Sequence, residues 1–212
     1  MATIDLYTFS TPNGYKASIM LEETGLDYDV HKIDIMKDDQ FAPEFLKISP
    51  NNKIPAIVDN DNGMTLMESG AILVYLARKT GQLLAPDGEE HWRCLEWLMW
   101  QMGGFGPMLG QAHHFYQFNP DVSDYAKTRY TGEAQRLYGV LNKRLGDSGY
   151  LAGDDYSIAD VATFPWAARH PWQNVDLNDF PNVRRWYTEI AGRPAVQKGV
   201  LITNPDYELP MP

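Results

Sequence analysis

The sequence predicts an α/β domain followed by an all-α, helical-bundle domain, on three observations. Short apolar runs alternate with helical patterns through the first third of the chain, in the order β-α-β, a connecting segment, then β-β-α. A turn-rich stretch joins the last two strand-like runs as a hairpin. From about residue 89 to about residue 199 the strand pattern disappears and helical spacing takes over. The expected boundaries are 1–81 for the first domain, 82–89 for a linker, 90–201 for the helical domain and 202–212 for an extended tail.

Ile4-Asp5-Leu6-Tyr7 reads as the first strand, and Thr11-Pro12-Asn13-Gly14 as turn chemistry. Over residues 15–24, Ala17, Met20 and Leu21 recur at helical spacing, and Gly25 supplies the stop. Residues 28–34 read as a second strand. Ala56-Ile57-Val58 and Thr65-Leu66-Met67 read as two more, joined by Asp59-Asn60-Asp61-Asn62-Gly63. Residues 69–80 read as a helix with Ile72, Tyr75 and Leu76 on one face and Gly81 just past its end. The first crossover should be right-handed between parallel strands, and the final hairpin antiparallel.

Pro86-Asp87-Gly88 marks the linker. Beyond it, Trp92, Leu95, Leu98 and Met99 keep helical spacing, and residues 126–145 form a long helical pattern. Gly103-Gly104-Phe105-Gly106-Pro107 is expected to kink or interrupt a helix and to let two backbones approach closely. Ser157-Ile158-Ala159-Asp160 has the spacing of a capping box, with Asp where Glu or Gln is more usual, and Tyr156 and Val161 sit where a hydrophobic staple needs them. That helix is expected to run from Ile158 to about His170. Pro205, Pro210 and Pro212 suit a tail that lies extended on the surface or frays.

Composition narrows the function classes. A net charge of −10 argues against nucleic acid or an anionic membrane as the main partner. No apolar run approaches the roughly 20 residues that span a bilayer. The first five residues carry no basic region ahead of an apolar stretch, so the expectation is a cytoplasmic protein. Cys94 is the single cysteine, which excludes a disulfide framework within the chain and any cysteine-based zinc cluster. Cys94 lies in an apolar helical stretch and is read as an inert core residue. Adjacent residues do not share a helix face, so His113-His114 is read as structure or pocket wall, and no metal site is expected.

Three motifs in order carry a resemblance: Lys53-Ile54-Pro55-Ala56-Ile57-Val58, Glu68-Ser69 opening a helix, and the Ser157 to Asp160 box. Together they resemble the glutathione transferase pattern over essentially the whole chain. Thr11-Pro12-Asn13-Gly14, Ser49-Pro50-Asn51-Asn52-Lys53-Ile54-Pro55 and Gly106-Pro107-Met108-Leu109-Gly110-Gln111 look like signatures of the bacterial Nu class. The resemblance implies a thioredoxin-like first domain that binds glutathione, a homodimer, and disulfide reductase activity with glutathione as electron donor and co-substrate.

The implied site makes physical sense. The γ-glutamyl carboxylate needs concentrated donors, and the start of the Ser69 helix offers backbone N–H groups, a hydroxyl and the positive end of the dipole. Glu68 adds a negative charge suited to the γ-glutamyl amine. The peptide backbone needs an antiparallel partner, which in this fold is the residue before a cis-proline, here Ile54 before Pro55. Lys53 and Gln40 would serve the glycine carboxylate or peptide oxygens, and Arg129 of the helical domain is a further glutathione contact.

Related proteins place Cys, Ser or Tyr beside the glutathione sulfur. No cysteine lies in the first domain, so a glutaredoxin-like mixed disulfide with the protein is not available there. Thr11 and Asn13 are the catalytic candidates, as donors to a thiolate at a helix start, with Ser10 and Tyr7 as rivals. Lowering a thiol pKa from about 8.5 by about two units raises the thiolate fraction about 25-fold. Intrinsic nucleophilicity then falls about 8-fold, so the net gain is only about 3-fold. Holding the sulfur in line with a second sulfur has to supply more. Three readings stay open: a disulfide reductase, a transferase conjugating electrophiles or reducing organic peroxides, and a non-catalytic interaction protein of the same fold.

Overall fold

The structure, a computed structural model, describes residues 2–212. The chain divides into two compact units, Met1–Leu84 with Arg193–Glu208, and Ala85–Gly192 with Leu209–Pro212.

The first unit is built on a four-stranded sheet: β1 (Ile4–Thr8), β2 (Tyr28–Lys32), β3 (Ala56–Asp59) and β4 (Met64–Met67), in the order β2-β1-β3-β4. β1 and β2 run parallel, and β3 is antiparallel to both β1 and β4. Ile4, Leu6 and Thr8 of β1 are buried, while Asp5 and Tyr7 on its other face are less so. Helices α1 (Pro12–Thr24), α2 (Pro43–Ile48) and α3 (Ser69–Thr80) complete the β-α-β and β-β-α halves. α1 and α3 both end on left-handed glycines, Gly25 and Gly81, whose N–H groups return to Leu21 and Ala77.

α1 starts at Pro12, three residues before the helical spacing becomes readable, because proline at the first position is tolerated there and Thr11 caps it. α2 is the missed element: Phe45 is its one buried residue, which leaves no periodic apolar stripe to read. β2 stops at Lys32, short of the expected Asp34.

The second unit is helical: α4 (Gly88–Trp100), α5 (Gly106–His113), α6 (Asp124–Asp147), α7 (Ile158–Ala167) and α8 (Pro181–Ala191). The glycine-rich stretch after α4 interrupts the regular α-helix between Trp100 and Gly106, as its pattern predicts. It forms a π-helical turn, Gln101–Phe105, and a second one, His114–Phe118, follows α5. Gly103 and Gly104 have open space around them. The close approaches fall at Gly106 and Gly110, where an added Cβ would meet Trp166 at 3.1 Å in both cases. α7 closes its capping box in both directions. Asp160 is fully buried and accepts from the N–H groups of Leu151 and Ser157, the Ser157 hydroxyl and the Trp186 indole. The helix ends at Ala167 rather than near His170, and a short 3-10 turn, His170–Gln173, takes over.

α9 (Pro194–Leu201), expected in the helical domain, belongs instead with the first unit. An added Cβ at Gly199 would lie 2.8 Å from the Ile19 Cα, so glycine lets α9 lie directly on α1. Ser18 donates to the Gly199 carbonyl at 2.7 Å, and Arg193 and Lys198 pair with Glu23 and Glu22. The tail is anchored rather than frayed: Ser10 and Thr203 share a hydrogen bond of 2.7 Å, Tyr15 and Tyr207 are in ring contact, and Tyr187 donates to the Pro210 carbonyl. Among the described residues no helix is long and apolar enough to cross a membrane.

Candidate glutathione site

Strand register brings the candidate residues to one end of the sheet. Tyr7, Ala56 and Met67 form a row across β1, β3 and β4, with His31 of β2 beside Tyr7. Thr11 and Asn13 follow β1 at that end. Ile54 and Pro55 immediately precede Ala56, Glu68 and Ser69 immediately follow Met67, and Gln40 lies in the segment leaving β2. Four separate stretches of sequence therefore converge because their strands begin or end in register.

At the start of α1, the Thr11 hydroxyl accepts from the Gly14 N–H at 3.1 Å. Pro12 brings no N–H, so Asn13, half-buried, is the residue of this turn that carries both a backbone N–H and a side-chain amide. Gly14 is required: an added Cβ would lie 2.1 Å from the Phe9 carbonyl oxygen and 2.6 Å from the Thr8 hydroxyl. Ser10, a rival for the sulfur, is held by Thr203. Tyr7, the other rival, stacks on His31 with centroids 4.6 Å apart and touches Phe45. Burial and the Asp5 charge push its phenol up, which makes it a poorer acid than a free tyrosine.

The loop before β3 is held from within. Fully buried Ser49 donates to the Lys53 carbonyl at 2.8 Å, Asn52 N–H bonds back to the Ser49 carbonyl, and Asn52 takes a left-handed φ of 52° that asparagine tolerates. Lys53 is exposed, Ile54 half-buried, Pro55 buried, and the bond joining Ile54 to Pro55 is cis. Ile54 lies outside the β3 ladder, whose pairing begins at Ala56. Gln40 has a buried Oε1 with no hydrogen-bond partner in the protein.

Glu68 sits at φ 71°, ψ 112°, a region a side-chain-bearing residue rarely adopts, and its carboxylate does not cap α3. It is exposed, while Ser69 beside it is buried. The start of α3 thus presents a helix N-terminus and a hydroxyl next to a carboxylate, a pairing that suits a zwitterionic amino-acid head group.

The sequence reading passed over Lys16. Only 1% exposed, it reaches the Ser69 hydroxyl with its Nζ at 3.4 Å. Burial, partly offset by Glu68, pushes its ammonium down to about 7. No periodic signal singled it out, because every residue of α1 from Gly14 to Leu21 is buried. Ser49 opened one of the class signatures, but nothing in that stretch showed that its hydroxyl would hold the Lys53 carbonyl.

In the second unit Arg129 is an exposed residue of α6, and Glu96 of α4 pairs with Arg93. His113 packs against Phe118, Trp166 and Trp172, and burial with nearby Arg169 pushes its imidazole down to about 4. Cys94 is buried and its thiol is pushed up by that burial, away from thiolate chemistry. Among the described residues no group of three or more His, Cys, Asp or Glu is arranged to hold a metal ion.

Family models for the glutathione S-transferase N-terminal domain and C-terminal domain match residues 2–78 and 106–194. The chain is 53% identical over 203 residues to the disulfide-bond oxidoreductase YfcG of Escherichia coli, covering 93% of this chain and 94% of that protein. A glutathione transferase family member from Pseudomonas fluorescens, solved with two glutathione bound, superposes with a TM-score of 0.89 at 46% identity, covering 94% of this chain and 92% of that one. A glutathione transferase from Pseudomonas putida, solved with one glutathione disulfide bound per subunit, gives 0.90 at 44% identity, covering 95% and 92%.

Proposed function

The chain belongs to the glutathione transferase family, and from that premise we propose that it is a glutathione-dependent disulfide reductase whose active site uses no protein cysteine. The observation that carries this reading is the convergence at one sheet end of the Thr11 to Gly14 turn, the Ile54 to Pro55 segment and the Glu68 to Ser69 helix start. The named activity of the Escherichia coli relative and the glutathione disulfide bound by the Pseudomonas putida protein support it. The single cysteine, Cys94, lies buried in the other unit with a raised thiol, so the sulfur chemistry falls to the substrates.

In this reading the γ-glutamyl carboxylate takes donors from the start of α3 at Ser69, and its amine faces Glu68. The cysteinyl backbone pairs with Ile54, held by Pro55. Gln40 and Lys53 serve the peptide oxygens and the glycine carboxylate, and Arg129 is a further contact. Thr11 and Asn13 donate to the thiolate. That thiolate attacks the glutathionyl sulfur of a glutathione mixed disulfide. A new sulfur–sulfur bond forms, the old one breaks, and the leaving thiolate takes a proton, giving oxidised glutathione and a free thiol. Two electrons pass from glutathione to the substrate, with no covalent protein intermediate. We extend the reading to the bacterial Nu class, a homodimer and a cytoplasmic location.

The test is a Thr11→Ala, Asn13→Ala double variant assayed for glutathione-driven disulfide reduction. Two lost hydrogen bonds to a charged sulfur, at about 1.5 kcal/mol each, predict a fall in kcat/KM of roughly 100-fold or more. Retained activity removes both residues from the mechanism.

A further inference from the structure

Resting on that reading of the γ-glutamyl end, we propose that Lys16 is a positioning residue for glutathione. Its protonated Nζ, buried behind Ser69, organises the carboxylate-binding end of the site, so that affinity for glutathione falls as pH rises through neutrality.

A lysine in a packed helix normally runs its stem along apolar surface and ends in water. Lys16 does not: it is 1% exposed and its Nζ stops 3.4 Å from the Ser69 hydroxyl, the first residue of α3. Two terms there oppose a positive charge, namely burial and the positive end of the α3 dipole. The Glu68 carboxylate favours it, and burial outweighs that carboxylate to leave the ammonium at about 7. An anion bound at the same helix start adds a further favourable interaction. A hydroxyl that accepts from an ammonium is also polarised as a donor in its own right, which suits a carboxylate ligand. Binding and protonation are therefore linked: the ligand raises the lysine's proton affinity, and the proton raises ligand affinity.

Other charged groups on the packed elements are committed elsewhere. Glu22 and Glu23, further along α1, pair with Lys198 and Arg193 of α9. Asp5 of β1 pairs with His31, and Tyr7 stacks on the same ring. Lys79 and Arg78 lie in the last turn of α3, Lys79 pairing with Asp59 of β3 and with Asp61. Glu68 is the carboxylate that faces Lys16.

The experiment is calorimetric titration with S-methylglutathione, which lacks an ionisable thiol, from pH 6 to pH 8 in two buffers of different ionisation enthalpy. If bound anion lifts the lysine by about two units, wild-type affinity falls roughly 10-fold across that range, with uptake of about 0.8 proton at pH 8. Lys16→Met should bind weakly at pH 6 and lose both the slope and the uptake beyond the ligand's own amine. Lys16→Arg, whose charge does not titrate here, should bind as tightly at pH 8 as at pH 6. Circular dichroism on both variants separates these outcomes from misfolding. A wild-type affinity that is flat with pH overturns the proposal, as does an unchanged slope in Lys16→Met. Wild-type protein that binds no S-methylglutathione at any pH overturns the glutathione reading itself.

Discussion

Lys16 carries a prediction about stability that is independent of any ligand. Its folded pKa of about 7 lies below the ordinary lysine value, so between the two the unfolded chain holds more protons than the folded one. The cost of keeping this ammonium buried is fully present below pH 7 and is relieved as pH rises toward 10. Urea unfolding should therefore show the wild type gaining stability from pH 7 to pH 9 relative to Lys16→Met, which has a similar shape and no charge. At pH 7 the Met variant should be at least as stable as the wild type. A Met variant that is clearly less stable at pH 7 would mean that the ammonium is stabilised by its surroundings. The same scale sets what Thr11 and Asn13 can contribute. Acidifying the thiol accounts for about 3-fold, so a larger loss in the double variant measures positioning of the sulfur.

At the scale of elements, the fold was legible where local chemistry and tertiary packing agree. Gly25 and Gly81 ended their helices as read, because a left-handed C-cap needs no Cβ. The Ser157 to Asp160 box formed because both of its bonds lie within four residues. Asp160 goes further than a cap, since it also receives the Leu151 N–H and the Trp186 indole. Asp160→Ala leaves those buried donors without partners and should cost roughly 2–4 kcal/mol in chemical denaturation, more than an exposed cap. A cost under about 1 kcal/mol would reduce the box to an ordinary cap. What stayed illegible needed three dimensions. α2 buries only Phe45, and Lys16 reaches the Ser69 hydroxyl only because α3 begins beside α1. Within the Gly103 to Pro107 stretch, read as a close-packing site, the π-helical turn leaves Gly103 and Gly104 open, and Trp166 presses on Gly106 and, beyond the stretch, on Gly110.

At the scale of the whole molecule, chain order and compact units part company. Residues 193–208 return to the α/β unit, where α9 and the tail lie on α1, the helix whose start carries Thr11 and Asn13. Deleting residues 203–212 removes the bonds to Ser10 and Tyr187 and the Tyr15 to Tyr207 contact. About 2 kcal/mol lost in this way should lower Tm by roughly 4–8 °C in differential scanning calorimetry. An unchanged Tm would mean that the tail only rests on the surface. The central claim is that a family member with no cysteine at its sheet end runs disulfide chemistry on glutathione's own sulfur. The measurement that tests it most directly is glutathione-driven reduction of a small glutathione mixed disulfide, run beside conjugation of a chlorinated nitrobenzene by the same protein. Fast reduction with weak conjugation, unaffected by Cys94→Ala, is the predicted result. Fast conjugation with negligible reduction, or reduction abolished by Cys94→Ala, would contradict the account.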